Sequence, residues 1–159
     1  MVTRLGQRVP EFSLPDSDGK ERGLSSLFAD GSVVLAFFPF AFSGVCDKEM
    51  CNFRDDFDRL SALGLHVAGI SVDSVFTLKV FKQTYDLPFP MLSDFNRKVA
   101  KAYGVLDDPW VGYGYRGVAK RSLFLVDKKG ILRYRWVADA PEQEPNYGAL
   151  TDALAKVKA

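Results

Sequence analysis

Apolar positions along the chain follow two alternating rhythms. Ser32–Phe38 (SVVLAFF) and His66–Val72 (HVAGISV) are short, nearly continuous runs rich in β-branched and aromatic residues, the pattern of strands covered on both faces. Between them Met50, Phe53, Phe57 and Leu60 recur three or four apart, which predicts one helix over 44–63 with Ser43 as its N-cap. Leu78, Phe81 and Tyr85 predict another helix, ended by Pro88 and Pro90. A short helix is expected over 96–103, with Gly104 as its stop. Ser122–Val126 and Ile131–Val137 flank the turn Asp127-Lys-Lys-Gly130 and read as a β-hairpin. Leu150, Leu154 and Val157 stay in phase on a last surface helix. The opening, 6–27, holds Pro10, Pro15 and Asp16-Ser-Asp-Gly19 and reads as short extended pieces joined by turns.

Strands alternating with helices, then a hairpin and a helix, imply an α/β protein with a mixed central sheet and helices on both faces. That is the architecture of a thioredoxin-like fold, and pattern alone leaves other α/β folds open. The 159 residues contain no repeat, low-complexity tract or linker, so a single domain over 1–159 is expected. Hydrophobic residues make up 47% and charged residues 26%, an ordinary globular balance. A net charge of +1 gives no reason to expect nucleic acid or an anionic membrane as partner. No apolar run approaches the roughly 20 residues that span a bilayer. Residues 1–10 lack the apolar centre of a secretory signal, so a cytoplasmic location is expected.

The cysteines change the picture. There are two, Cys46 and Cys51, and in a reducing compartment such a pair points to catalysis or metal binding before a structural staple. A zinc site needs about four ligands. The one histidine, His66, lies in another segment and reads as a residue packed beside its strand, so neither metal nor cofactor is expected. Cys46 lies in FPFAFSGVCDKEMC (38–51), which runs from a buried strand through a proline loop into the first turn of a helix. Unpaired backbone N–H groups and the helix dipole favour a thiolate there, and the thiolate is the nucleophile. The plain alternative is a small apolar residue buried under the sheet. Its placement at a helix start after a strand, proline and serine favours chemistry.

Pro39, Ser43 and Cys46 match P-x-x-x-(T/S)-x-x-C, the active-site pattern of the peroxiredoxins, and the chain resembles that family over nearly its whole length. GQRVPEFSL at 6–14, LSDFNRKVAKAYGV at 92–105 and RSLFLVD at 121–127 carry the rest of the likeness. FFPFAFSGVC and LSDF resemble the one-cysteine alkyl hydroperoxide reductase E group, while C-x4-C is similar to the Q-type group, the bacterioferritin comigratory proteins. The resemblance implies a thiol-dependent peroxidase in which Cys46 attacks hydrogen peroxide or an organic hydroperoxide and becomes a sulfenic acid. It implies Arg121 as the cation beside sulfur and peroxide, Ser43 and the Cys46 N–H as further donors, and Pro39 as a shield without an N–H. Glu49 resembles the acidic residue that positions the arginine. Ser43 is also readable as a cap, and Glu49 as a solvated helix residue. Arg121 on an apolar strand is harder to explain structurally, because burying an unpaired guanidinium is costly.

Cys51 bears on recycling. In an intact helix, Cα atoms five residues apart stand about 8.7 Å apart, and a disulfide needs them within about 7 Å. A Cys46–Cys51 bond therefore requires the first helical turns to unwind. The expected cycle has Cys51 resolving the sulfenic acid and a thioredoxin-like or other thiol reductant restoring both thiols. The alternative is that Cys51 is merely packed and an external thiol does the recycling. Phe40, Phe42, Trp110, Tyr113 and Tyr115 fall in expected loops and read as core, as an apolar collar for organic hydroperoxides, or as a dimer face. Members of these groups occur as monomers or as a homodimer. Two rival readings remain: a thioredoxin-like disulfide reductase, and a non-enzymatic peroxide sensor or holdase switched by Cys46.

Overall fold

Val33, Leu35 and Phe37 enter one buried cluster while Val34, Ala36 and Phe38 enter another, because successive strand residues face opposite sides of a sheet. The computed structural model of the protein describes residues 3–107 and 112–157. In chain order the elements are β1 (Ser13–Pro15), β2 (Glu21–Gly23), α1 (Leu24–Leu27), β3 (Ser32–Phe37), α2 (Val45–Asp55), α3 (Phe57–Ala62) and β4 (Leu65–Ser71). They continue with α4 (Val75–Tyr85), β5 (Met91–Ser93), α5 (Lys98–Ala102), β6 (Leu106–Asp107), β7 (Val118–Ala119), β8 (Ser122–Val126), β9 (Leu132–Val137) and α6 (Tyr147–Val157). The main sheet has the order β5-β4-β3-β8-β9. Its β3–β4 and β4–β5 pairs are parallel, and β3–β8 and β8–β9 are antiparallel. This is the expected mixed sheet.

Both faces are covered. On one side β3 packs with Phe12, Leu24, Leu27, Val99 and Tyr103, from the opening segment, α1 and α5. On the other side Met50, Phe53, Leu60, Leu78, Phe81 and Leu154 bring α2, α3, α4 and α6 onto the sheet. The second cluster also contains Cys46.

The β1–β2 and β8–β9 hairpins are closed by the same device, D-x-x-G-x-x-R. Asp16 Oδ1 accepts from the N–H groups of Asp18 and Lys20 at 2.9 and 3.0 Å, and Arg22 Nε donates to Oδ2 at 2.8 Å. Asp127 repeats this with the N–H groups of Lys129 and Ile131 at 2.8 and 3.0 Å and with Arg133 Nε at 2.7 Å. Gly19 and Gly130 sit at φ 81° and 80°, where a side chain would be strained.

The single helix expected over 44–63 is two helices. Asp56, at ψ 5°, ends α2 by donating its N–H to Asn52 O and opens α3 by accepting from Leu60 N. Aspartate is a weak helix-interior residue because its side chain competes for local polar groups, and here it pairs with Arg59. The helix expected over 96–103 is confined to α5, since Arg97 takes a left-handed φ of 64°. Gly104, at φ 71°, follows it as the expected stop. Among the described residues, no helix is long and apolar enough to cross a membrane.

Candidate active site

Register brings the distant arginine to the cysteine. Ser122 pairs with Phe37 across β3 and β8, so Arg121, one residue earlier, lies where the chain leaves β3 and turns toward α2. That connection is held from below: Ala41 N–H donates to Asp73 Oδ2 at 2.8 Å, and Ser71 Oγ donates to the same oxygen at 2.7 Å. Phe42 takes φ 65° in the turn, a costly conformation for an aromatic residue. Its ring is held edge-on to Phe81 with centroids 5.2 Å apart. Gly44, at φ 78°, is the N-cap of α2. Ser43 is therefore not the cap the sequence suggested; its Oγ donates to Phe40 O at 2.7 Å.

Cys46 is the second residue of α2 and has no exposed surface. Arg121 Nη2 donates to Cys46 Sγ at 3.2 Å, and Nη1 donates to Glu49 Oε1 at 2.9 Å. Glu49 stands one turn beyond Cys46 and is fully buried, so the reading of it as a solvated helix residue does not hold. Nε and Nη2 of Arg121 also donate to Pro141 O, at 3.2 and 2.8 Å. Four donated hydrogen bonds thus fix the fork, the geometry for which a guanidinium is suited. The Pro141 carbonyl was not foreseen: a backbone acceptor leaves no side-chain signal in a sequence.

One positive charge faces two buried acids. Burial pushes the Cys46 thiol up; Arg121, the Ser43 hydroxyl and the Phe40 N–H pull it down, and burial prevails. Desolvation and the surrounding donors thus act on the sulfur in opposite directions. The Ser43 hydroxyl stands between two acceptors, Phe40 O and the Cys46 sulfur. Burial likewise pushes Glu49 up to about 7, against the pull of Arg121, and Glu49 Oε2 is buried without a partner. Burial alone would lower Arg121, but Cys46 and Glu49 outweigh it and keep the guanidinium charged.

A cavity of about 420 Å³ reaches the guanidinium, lined by Pro39, Phe40, Val45, Tyr113 and Tyr115. Phe40 meets Tyr115 edge-on at 5.6 Å, and Tyr115 neighbours Tyr113 at 5.6 Å. These three rings form a collar over the site, whereas Phe42 turns toward α4; Trp110 lies outside the described residues. Both cysteines are free and share α2. Burial pushes the half-buried Cys51 thiol up, Arg54 opposes this, and Asp55 and Asp47 add to it. His66 is exposed on β4. Among the described residues, no group of three or more His, Cys, Asp or Glu is arranged to hold a metal.

The AhpC/TSA family matches residues 5–135. The chain is 40% identical over 137 residues to a putative peroxiredoxin bcp of Coxiella burnetii, covering 86% of this chain and 89% of that one. It is 38% identical to the chloroplastic peroxiredoxin Q of Triticum aestivum over 81% of this chain and 57% of that one. The crystal structure of peroxidoxin BcpB from Mycobacterium tuberculosis superposes with a TM-score of 0.83 at 30% identity, covering 98% and 97% of the two chains. With the thioredoxin-like sheet and the Pro39–Cys46 loop in place, the chain belongs to the AhpC/TSA family and is a peroxiredoxin.

Proposed function

We propose that Cys46, Arg121, Glu49, Ser43 and Pro39 perform the thiol-dependent peroxidase reaction, with Cys51 as the resolving thiol. The observation that carries this is Arg121, which donates to Cys46 Sγ and Glu49 Oε1 at once from a fully buried position. Peroxide enters the aromatic-lined cavity and meets the guanidinium. The Cys46 thiolate attacks one peroxide oxygen; the S–O bond forms, the O–O bond breaks, and the leaving hydroxide or alkoxide takes up a proton. Cys46 is left as a sulfenic acid.

Thiolate supply contributes little to this rate. Lowering a thiol pKa from about 8.5 to about 6 raises the thiolate fraction at pH 7 roughly 30-fold, while a Brønsted slope of about 0.4–0.5 removes roughly tenfold in nucleophilicity. The main contribution must come from stabilising charge as it moves onto the peroxide oxygens, the task of a preorganised charged donor. Arg121 is fixed for that by Glu49 and Pro141 O. Pro39 lines the cavity without adding an N–H to solvate the sulfur.

The Cys51 thiolate then attacks Cys46 sulfur: the S–S bond forms, the S–O bond breaks, and hydroxide leaves as water. A thioredoxin-like dithiol in the cytoplasm reduces the product. Two cysteines locked in one helix do not suit a standing disulfide reductase, and a cavity leading to the fork suits turnover better than a one-shot sensor. Mass spectrometry after one equivalent of peroxide tests the recycling step. Loss of two hydrogens linking the Cys46 and Cys51 peptides is expected; a sulfenic acid that persists unchanged in Cys51→Ser refutes it.

A further inference from the structure

If Cys51 is to reach Cys46, the first turns of α2 must come apart, and the end of α4 is one of the things that hold them. Asp47, next to Cys46, accepts from Tyr85 Oη at 2.6 Å through Oδ2. Tyr85 is the last residue of α4, and its own carbonyl accepts from Arg54 Nη1 at 2.8 Å. Asp47, Cys51 and Arg54 are spaced four and three apart, one stripe of a helix. Phe42, just before α2, rests on the same surface, 5.2 Å from Phe81 and 6.4 Å from Tyr85. The end of α4 therefore grips the connecting loop, the first turn of α2 and its last turn.

Asp47 lies between the two cysteines. Closing a gap of about 8.7 Å to the roughly 7 Å a disulfide allows displaces whatever Asp47 holds. Its other oxygen, Oδ1, is buried without a partner. Unwinding gives that oxygen water, so the closed state is held against a standing desolvation cost. The Tyr85 hydroxyl is the one side-chain donor that Asp47 has in the described structure.

We propose that the Tyr85–Asp47 hydrogen bond is a latch on α2 that sets how fast oxidised Cys46 reaches Cys51. The inference rests on the reading of Cys51 as the resolving thiol. Two fates compete for the sulfenic acid. Attack by Cys51 forms S–S and expels the hydroxyl as water. A second peroxide instead transfers one oxygen to sulfur, giving the sulfinic acid and releasing water or an alcohol. A firm latch keeps the reactive geometry intact for attack on peroxide but lengthens exposure to the second molecule. Tyr85 touches no reacting atom; it acts through α2 as a positioning residue.

Tyr85→Phe removes the hydroxyl and keeps the ring against Phe42 and Phe81. Quench-flow alkylation and mass spectrometry of the full chain, after one equivalent of hydrogen peroxide, read the rates of Cys46 oxidation and of disulfide formation separately. Oxidation within twofold of wild type and disulfide formation faster by about tenfold are expected, the loss of one charge-assisted hydrogen bond offset by the orphaned oxygen. The peroxide dose that converts half of Cys46 to sulfinic acid should rise in proportion. Asp47→Ala should reproduce the gain, and the double variant should be no faster than either single one. Equal or slower disulfide formation in Tyr85→Phe overturns the latch. So do rates that multiply in the double variant, or oxidation and resolution changing by one common factor. A wild-type sulfenic acid that never reaches Cys51 overturns the Cys51 reading itself, and the latch with it.

Discussion

Replacing Arg121 by glutamine removes the charge and shortens the side chain while leaving a polar group near Pro141 O. Three effects follow, of different size and sign. Removing one charged donor aimed at developing negative charge costs about 10²–10³ in rate, roughly 2.7–4 kcal/mol. The Cys46 thiol, already raised by burial against the pull of Arg121, rises further, which lowers the thiolate fraction at neutral pH. The more basic thiolate is intrinsically a better nucleophile, by roughly threefold for each unit of pKa. A full pH profile of the second-order oxidation rate by stopped flow separates these effects. On the alkaline plateau every Cys46 is ionised in both proteins, so the supply effect vanishes. Subtracting the nucleophilicity gain leaves a plateau deficit of at least about tenfold, towards either hydrogen peroxide or an organic hydroperoxide. The fold should survive, because Glu49, pushed up to about 7 even beside the guanidinium, can take a proton when its partner is gone. Plateaus that coincide would mean that Arg121 only feeds thiolate, and the transition-state role would be refuted.

Glu49→Gln leaves the sulfur as the one acid bonded to the guanidinium, beside the neutral Pro141 carbonyl, so the Cys46 pKa should fall, read from thiolate absorbance near 240 nm; a rise would contradict the competition of two acids for one cation. The same variant tests linkage. The Glu49 pKa stands at about 7 in the folded chain against an ordinary 4.5, so wild type loses stability as pH rises from 4.5 to 7 and the glutamine variant does not. The urea midpoint of Glu49→Gln relative to wild type should therefore climb across that window and level off above it. At Gly31 a methyl group would run into the backbone carbonyl oxygen of Gly64, which also accepts from Ser32 N–H. Backbone cannot step aside as a flexible side chain can, so Gly31→Ala should cost about 1–3 kcal/mol. Thermal unfolding would show a drop of about 2–4 °C per kcal/mol, and an unchanged midpoint would contradict the packing.

Legibility of this chain followed the range of the forces involved. β3, β4 and the β8–β9 hairpin were readable because apolar runs and a turn signature act locally. β5 was not: Met91–Ser93 is three residues long, and only its register with Gly69–Ser71 makes it a strand. The two-residue β6 and β7 were missed for the same reason. The break at Asp56 hid inside an unbroken apolar period, since Phe53, Phe57 and Leu60 keep helical phase across it. Cys46 and Arg121 were readable by residue type and motif although 75 positions separate them, and register then explains how they meet. What was illegible depends on burial and on backbone. The upward push on the Cys46 thiol follows from its depth, and Pro141 O and the Asp73–Ala41 bond involve main-chain atoms that any residue carries.

The repeated D-x-x-G-x-x-R hairpin ties two ends of the molecule to one chemical condition. Asp16 and Asp127 are each pushed up by burial yet end below the ordinary carboxylate range, held there by their arginines and backbone N–H groups. Their contribution is complete above that range and vanishes as pH falls through the lowered values. The amino-terminal segment is also bonded to the second of these turns, because Val9 N–H donates to Gly130 O and Leu132 N–H to Gln7 O. Strong acid would therefore loosen two hairpin turns at once, one bridged to β5 and the other joining β8 to β9.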